Sequence, residues 1–405
     1  MNGREEESQG ARPPAASPKD GRPPALLRSP WGARFLIALL LIAAYAGPLS
    51  RAELSELDDR RFILDNEAVQ ELSPGQVVRF FTDPATLDPV MWRGTYRPLR
   101  TLDFAIDYAI GGTDARVYHL HSLLIHLISS ILVFEIFRRL LRGRLFASLV
   151  GALLFALHPV QTESVAWVTS RGDLLAGMYV LAALLAHLHR RYVLAAVLFF
   201  PALFSKETAV VFPAAALLAD LFFRGRGAGA ALIRAGFSYL AALPAAASRR
   251  LAAAKLRRAW READLPWIPY AAYGALAAGF FVLWLAMMEN PGHLPGWWGG
   301  DYFANLQMMV RGLAYYARVL LLPVELVFDY HVPATTTVDG GTVLGLLLLA
   351  GLVVGCVKGG ATFRFATAWF FLLILPTSNL LLTVGIPTAE RFLYLPSVGL
   401  ALGAG

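Results

Sequence analysis

Residues 153–188 read LLFALHPVQTESVAWVTSRGDLLAGMYVLAALLAHL. Two apolar runs flank a short polar stretch that holds His158, Pro159, Glu163, Arg171 and Asp173. Apolar runs near the roughly 18 residues needed to span a bilayer read as membrane helices. Pro159 marks the end of the first run, because proline lacks a backbone N–H and clashes with the preceding turn. The ionisable residues then sit between two helices at a membrane border, where charge is a pointer to function.

Outward from this pair the same pattern recurs. Candidate spans cover 33–49, 117–140, 145–158, 172–189, 192–204, 207–223, 267–288, 302–328, 341–357 and 363–382, with an incomplete run from about 392. The expected fold class is all-α: a polytopic helical membrane protein with about ten to eleven hydrophobic segments. Composition agrees. The 405 residues are 57% hydrophobic and 16% charged, with a mean hydropathy of +0.53. An ordinary soluble domain is about 45–50% apolar and about 25% charged, and a disordered chain is far less hydrophobic. A transmembrane β-barrel would alternate apolar and polar residues over runs of about ten, and no such runs occur.

The formal charge of +7 does not indicate nucleic acid, because the basic residues cluster in short loops between apolar runs. Arg138, Arg139, Arg142 and Arg144 form one such loop, Arg190 and Arg191 a second, and 224–265 a third, with nine Lys or Arg. Counting crossings from a cytoplasmic N-terminus puts all three inside. Residues 51–116 then form a large first outer loop with 12 acidic and 8 basic residues. Arg311 and Arg318 are awkward at mid-bilayer, where each costs about 2.5–3.5 kcal/mol, so 302–328 is expected to lie along the interface or re-enter. The basic stretch Arg249–Arg261 is expected to lie on the inner leaflet, drawn by anionic lipid. Residues 1–32 read as a disordered cytoplasmic tail, 33–405 as the membrane domain, and the C-terminus as truncated. Cys356 stands alone, so no disulfide within the chain is possible.

With this topology several polar motifs face one outer side: Asp58-Asp59, Tyr96-Arg97-Pro98, His158-Pro159 with Glu163, Arg171-Gly172-Asp173, Ser205-Lys206-Glu207, Asp329-Tyr330-His331 and Glu390-Arg391. A metal site would want more ligands at paired spacing than His158 and Glu163 supply, so no metal or other cofactor is expected. The structural alternatives are neighbour pairs: Lys206 with Glu207, Arg391 with Glu390, and Arg97 as a helix cap. His119 and His126 share a helical face and read as interhelical hydrogen-bond partners. His187 and His189 read as anchors at the inner interface.

The ordered set DDRRFILDNEAV, YRPLRTLDFAIDYAIGG, YHLHSLLIHL, LLFALHPVQTESVAWVTSRGDLLAGMY, LFSKETAVVFPAAALLAD and TAERFLYLPSVG resembles the transmembrane and tetratricopeptide-repeat containing O-mannosyltransferases and their bacterial relatives. These belong to the wider C-type glycosyltransferase (GT-C) superfamily. The likeness runs from about residue 35 to 405, without the repeat array that follows the membrane part in relatives. It implies a GT-C-like fold and a transferase that takes a sugar, mannose being one candidate, from a polyprenyl-phosphate carrier. The acceptor would be a protein hydroxyl or a glycan on the non-cytoplasmic face. An essential acid of the first outer loop maps onto Asp58 or Asp59. An acceptor hydroxyl needs such a carboxylate to take its proton, and two adjacent carboxylates raise each other's pKa. The leaving phosphate needs fixed cations, for which Lys206 and Arg391 lead. Arg97, Glu163, Arg171, Glu207, Asp329, His331 and Glu390 would complete substrate binding. The expected partners are the lipid-linked donor, the acceptor and the bilayer, with no nucleic acid. The Arg-rich, Lys-poor usage further points to a bacterial inner membrane, with the site facing the periplasm. The rival readings are a lipid-sugar flippase or transporter, and a non-catalytic membrane scaffold.

Overall fold

The computed structural model describes residues 29–404, apart from Leu57, 89–94, most of 225–245, 263–264, 288–295, 328–329 and His331. The tail expected over 1–32 lies outside the described residues as far as 28. Helix α1 (Pro30–Ser50) begins earlier than the sequence reading placed it. Ser29 accepts the Gly32 N–H at 2.9 Å, and Pro30 fills the first helical position, where its missing donor costs nothing.

The segment expected to form the first outer loop is itself structured. It carries α2 (Pro74–Thr82), capped by Ser73, and α3 (Pro98–Gly111). Gly112 ends α3 at φ 58, a left-handed value that favours glycine. Asp114 then caps α4 (Ala115–Leu140) by accepting the Arg116 N–H. A tight turn through Gly143 at φ 80 leads into α5 (Leu145–Leu157). As expected, the chain breaks at His158-Pro159. It bends by 48° into a helical turn ending in α6 (Thr162–Ala166). Helix α7 (Arg171–Leu188) follows, and its first turn contains Arg171-Gly172-Asp173.

Helix α8 (Tyr192–Ser205) returns alongside α7, and a short 3-10 turn from Glu207 leads into α9 (Phe212–Phe223). The basic stretch forms α10 (Ala246–Glu262), followed by α11 (Trp267–Met287), α12 (Tyr302–Leu321), α13 (Gly340–Lys358), α14 (Ala361–Ile374) and α15 (Ser397–Ala404). Among the described residues there is no strand. The protein is therefore an all-α, polytopic helical membrane protein.

Each expected apolar run corresponds to a helix, but fewer are full spans. Among the described residues, five helices are long and apolar enough to cross a bilayer: α1, α4, α7 with the turn before it, α11 and α13. The bent pair α5–α6 makes a sixth if it counts as one, while α8 and α14 are shorter apolar helices. Helix α12 is not in this set.

Burial separates a packed centre from a lipid-facing rim. In α7, 72% of the spanning window is buried, and in α4, 56%, whereas α11 has 17% and α13 has 11%. An apolar helix can stay this exposed only where hydrocarbon replaces water. The centre contains α1, α4, α5, α7, α8, α9, α14 and α15. Close approach depends on small residues: a Cβ on Gly151 of α5 would lie 2.7 Å from the Ala401 carbonyl oxygen of α15. A second apolar cluster ties α12 to residues 389–393 through Met308, Tyr316, Val319, Phe392 and Leu393.

Candidate active site

The singled-out charges gather where α7 and α3 begin, where α8 ends and where α5 breaks. Arg97 occupies the N-cap position of α3, yet its side chain makes no cap hydrogen bond. It forks instead onto Glu207, with Nε 2.9 Å from Oε2 and Nη2 2.6 Å from Oε1. Lys206 ends α8 in an extended conformation and turns away from its neighbour Glu207. Its Nζ lies 2.6 Å from both carboxylate oxygens of Asp173 in the first turn of α7. A carboxylate there also gains from the positive end of the helix dipole.

Arg391 likewise ignores Glu390. Its backbone N–H donates to Glu163 at 2.7 Å, and its guanidinium pairs with the same carboxylate. The guanidinium also lies over the Trp167 ring, 4.7 Å from the centroid. Glu390 accepts the Tyr330 hydroxyl, and burial pushes its carboxyl up. Lys206 and Arg391 both flank the Phe392 ring, at 5.6 and 5.3 Å. Beside them a small crevice of about 20 Å³ is lined by Asp173, Thr208, Thr377, Arg391, Phe392 and Tyr394.

Arg171 is fully buried at the start of α7. It donates to Asp103, to Asp107 at 2.9 Å, to Ser122 at 3.0 Å and to the Tyr118 carbonyl at 2.6 Å. Asp103, Asp107 and His121 converge closely enough to hold a metal ion. The Arg171 guanidinium already takes lone pairs from both carboxylates, so the set ties α3, α4 and α7 together. His126 joins helices as expected, bonding to the Tyr394 hydroxyl and the Ala156 carbonyl. His187 is a correction: it is buried against Asp220 and Tyr273 rather than anchored at a surface.

The adjacent carboxylates have different surroundings. Asp59 is buried, and its oxygens accept the Ser55 N–H at 2.9 Å, the Thr169 N–H at 2.8 Å and the Thr169 hydroxyl. Burial raises its pKa, opposed by the Thr169 and Ser55 hydrogen bonds. Desolvation is thus the leading cause, where the sequence suggested mutual repulsion. Asp58 is half-buried, and no ion pair or hydrogen bond to a described residue holds its carboxylate. Asp329 and His331 lie outside the described residues; Tyr330 between them contacts Glu390.

Sequence reasoning passed over Arg100, Asp103 and Asp107. Their spacing of three and four puts all three on one face of α3, a signal visible in RTLDFAID. Arg100 is 1% exposed, stacked 4.2 Å over the Phe62 ring. Burial and the neighbouring Arg97 push its guanidinium down to about 9, so it remains a cation at neutral pH. The charges of Asp88, Glu207 and Asp58, in that order, act in the opposite direction.

A bundle with bilayer-length helices and buried ion pairs collected at their ends defines a polytopic membrane protein with a candidate polar site at a membrane border. The chain is a homologue of the protein O-mannosyl-transferases of the TMTC group. It is 27% identical to protein O-mannosyl-transferase TMTC4 of Homo sapiens over 424 aligned positions, covering 93% of this chain and 55% of the relative. It is 26% identical to a protein O-mannosyl-transferase of Caenorhabditis elegans, over 76% of this chain and 41% of that protein. A shorter match, 39% identical over 140 residues, is to Tmtc2 of Drosophila melanogaster, covering 33% and 15%. The chain thus spans about half the length of the first two relatives. No protein-family model matches it, and no solved structure does.

Proposed function

We propose that this chain is a GT-C-type glycosyltransferase that moves a sugar from a polyprenyl-phosphate carrier to a hydroxyl of a protein or glycan acceptor, on the non-cytoplasmic face. Mannose is the first sugar to test, given the printed names of the relatives. The observation that carries the reading is the convergence of Arg97–Glu207, Lys206–Asp173 and Arg391–Glu163 from separate segments onto one cluster beside a small crevice.

In the proposed reaction Asp58 takes the acceptor hydroxyl proton as that oxygen bonds to the anomeric carbon. The bond from that carbon to the phosphate oxygen breaks, and its electron pair leaves on the polyprenyl monophosphate. A carboxylate engaged by no partner is free to accept a proton, whereas that of Asp59 is fully engaged. Asp59 acts as a positioning residue that fixes the loop onto Thr169. Lys206 and Arg391 border the donor phosphate. Arg97, Glu163, Arg171, Glu207 and Glu390 hold the pocket.

The test is transfer of radiolabelled mannose from polyprenyl-phosphate-mannose in membranes. Asp58→Asn should lower transfer at least a hundredfold while folding normally. Equal label in the wild type and this variant would place the base elsewhere.

A further inference from the structure

Of the buried cations in the cluster, Arg97, Lys206, Arg391 and Arg171 each have a carboxylate within ion-pair distance. Arg100 has none among the described residues. Its Nε and Nη2 are buried without a hydrogen-bond partner, and the side chain is 1% exposed. Leaving a buried guanidinium unpaired is strongly unfavourable unless something compensates it. The Phe62 face supplies cation–π attraction, but a ring offers nothing to in-plane N–H groups. Arg100 and Arg97 pack beside Gly172, where a Cβ would meet their Cδ atoms at 3.6 and 3.9 Å, ordinary contact distances. Arg100 is therefore a buried cation with no counter-ion at ion-pair distance among the described residues, and it keeps the two free donors of a planar fork. Two oxygens of a phosphate match that fork, and a weakly hydrated guanidinium suits the task better than an ammonium.

We propose that Arg100 is the phosphate anchor of this protein, with Nε and Nη2 donating to two non-bridging oxygens of a lipid-linked monophosphate. The assignment rests on the transferase reading for the identity of the lipid. Arg100 then supplies the uncompensated positive charge that the paired Lys206 and Arg391 do not. It also places the anchor within electrostatic reach of Asp58, as two groups working on opposite sides of one anomeric carbon must be.

The test uses the purified full chain in detergent, with farnesyl monophosphate and inorganic phosphate as probes. Variants are Arg100→Met, Arg100→Lys and, as a control, the exposed Arg79→Met. Binding is read by calorimetry and folding by thermal unfolding. The expected result is a loss of farnesyl phosphate affinity of at least tenfold in Arg100→Met, with Tm unchanged or raised because an unpaired buried charge is gone. Arg100→Lys should also bind at least fivefold more weakly, having lost the fork. A structural role predicts the reverse pattern, a lowered Tm with unchanged affinity, and would overturn the proposal. Should Arg100→Met fail to fold, Arg100→Lys decides. Wild-type protein that binds neither probe, or a folded variant that binds as the wild type does, also overturns it. Binding of inorganic phosphate as tightly as farnesyl phosphate would keep the anchor and reject the lipid as its source. Arg100-dependent binding without sugar transfer would reject the transferase reading and keep the anchor. Transfer with Arg100-independent binding would do the opposite.

Discussion

Lys206 and Asp173 lock the α7–α8 hairpin at its polar end, with one ammonium shared by two carboxylate oxygens at 2.6 Å. Both side chains are largely buried, at 5% and 13% exposure. Removing one partner strands the other charge, at a cost of about 3–5 kcal/mol, whereas replacing both with apolar groups is often neutral.

Lys206→Met and Asp173→Leu should therefore each destabilise strongly, and the double variant should recover most of the loss. Thermal unfolding of all four proteins in one detergent gives the coupling energy. Additive losses would mean that the pair is not a unit.

Asp59 should behave unlike its neighbour. Asp59→Ala leaves the Ser55 and Thr169 donors without their acceptor, which costs about 1–3 kcal/mol for each buried group so exposed. Asp58→Asn should cost almost nothing in Tm while removing transfer. Equal Tm losses at the two positions would contradict their different surroundings.

Asp339 caps α13 and takes the Arg311 guanidinium, with Nε 3.0 Å from Oδ1. Hydrogen bonds from the Thr342 N–H, Arg311 and the Thr342 hydroxyl hold its carboxyl down at about 2, below its ordinary value of 3.8. A depressed folded-state pKa gives stability that is complete above the unfolded value and lost as pH falls through the folded one. Hydrogen exchange at the first turn of α13 should thus accelerate between pH 3.8 and 2 in the wild type. In Asp339→Asn it should be fast already at pH 5 and flat across that window; a pH step that survives in the variant would assign it to another group.

The expected apolar runs reappear as helices because long periodic hydrophobic segments are a strong signal. The break at His158-Pro159 falls where proline chemistry puts it. What the sequence concealed is partner choice. Lys206-Glu207 and Glu390-Arg391 look like neighbour pairs, but no two of these residues bond to one another. In an extended or helix-ending backbone, adjacent side chains diverge, so each finds a partner on another element. Arg311 shows the same limit: it is tolerated because the carbonyls of Pro333 and Thr335 wrap around it, at 3.0 and 3.1 Å. No local pattern announces such a loop. Arg100 was the most legible of the residues missed, since charges spaced by three and four on α3 already mark a polar stripe that is unusual for a solvent-exposed loop.

The long sequence separations across the cluster set a timetable for making this protein. Arg97 precedes Glu207 by 110 residues, and Glu163 precedes Arg391 by 228. At about 5–20 residues per second, Arg97 leaves the ribosome about 5–20 s before its counter-charge exists. During that interval the early helices must enter the membrane with their polar ends hydrated or held by the insertion machinery. The site therefore closes only once residue 391 has been made, and a stall before it leaves a membrane protein with its charges still unmatched.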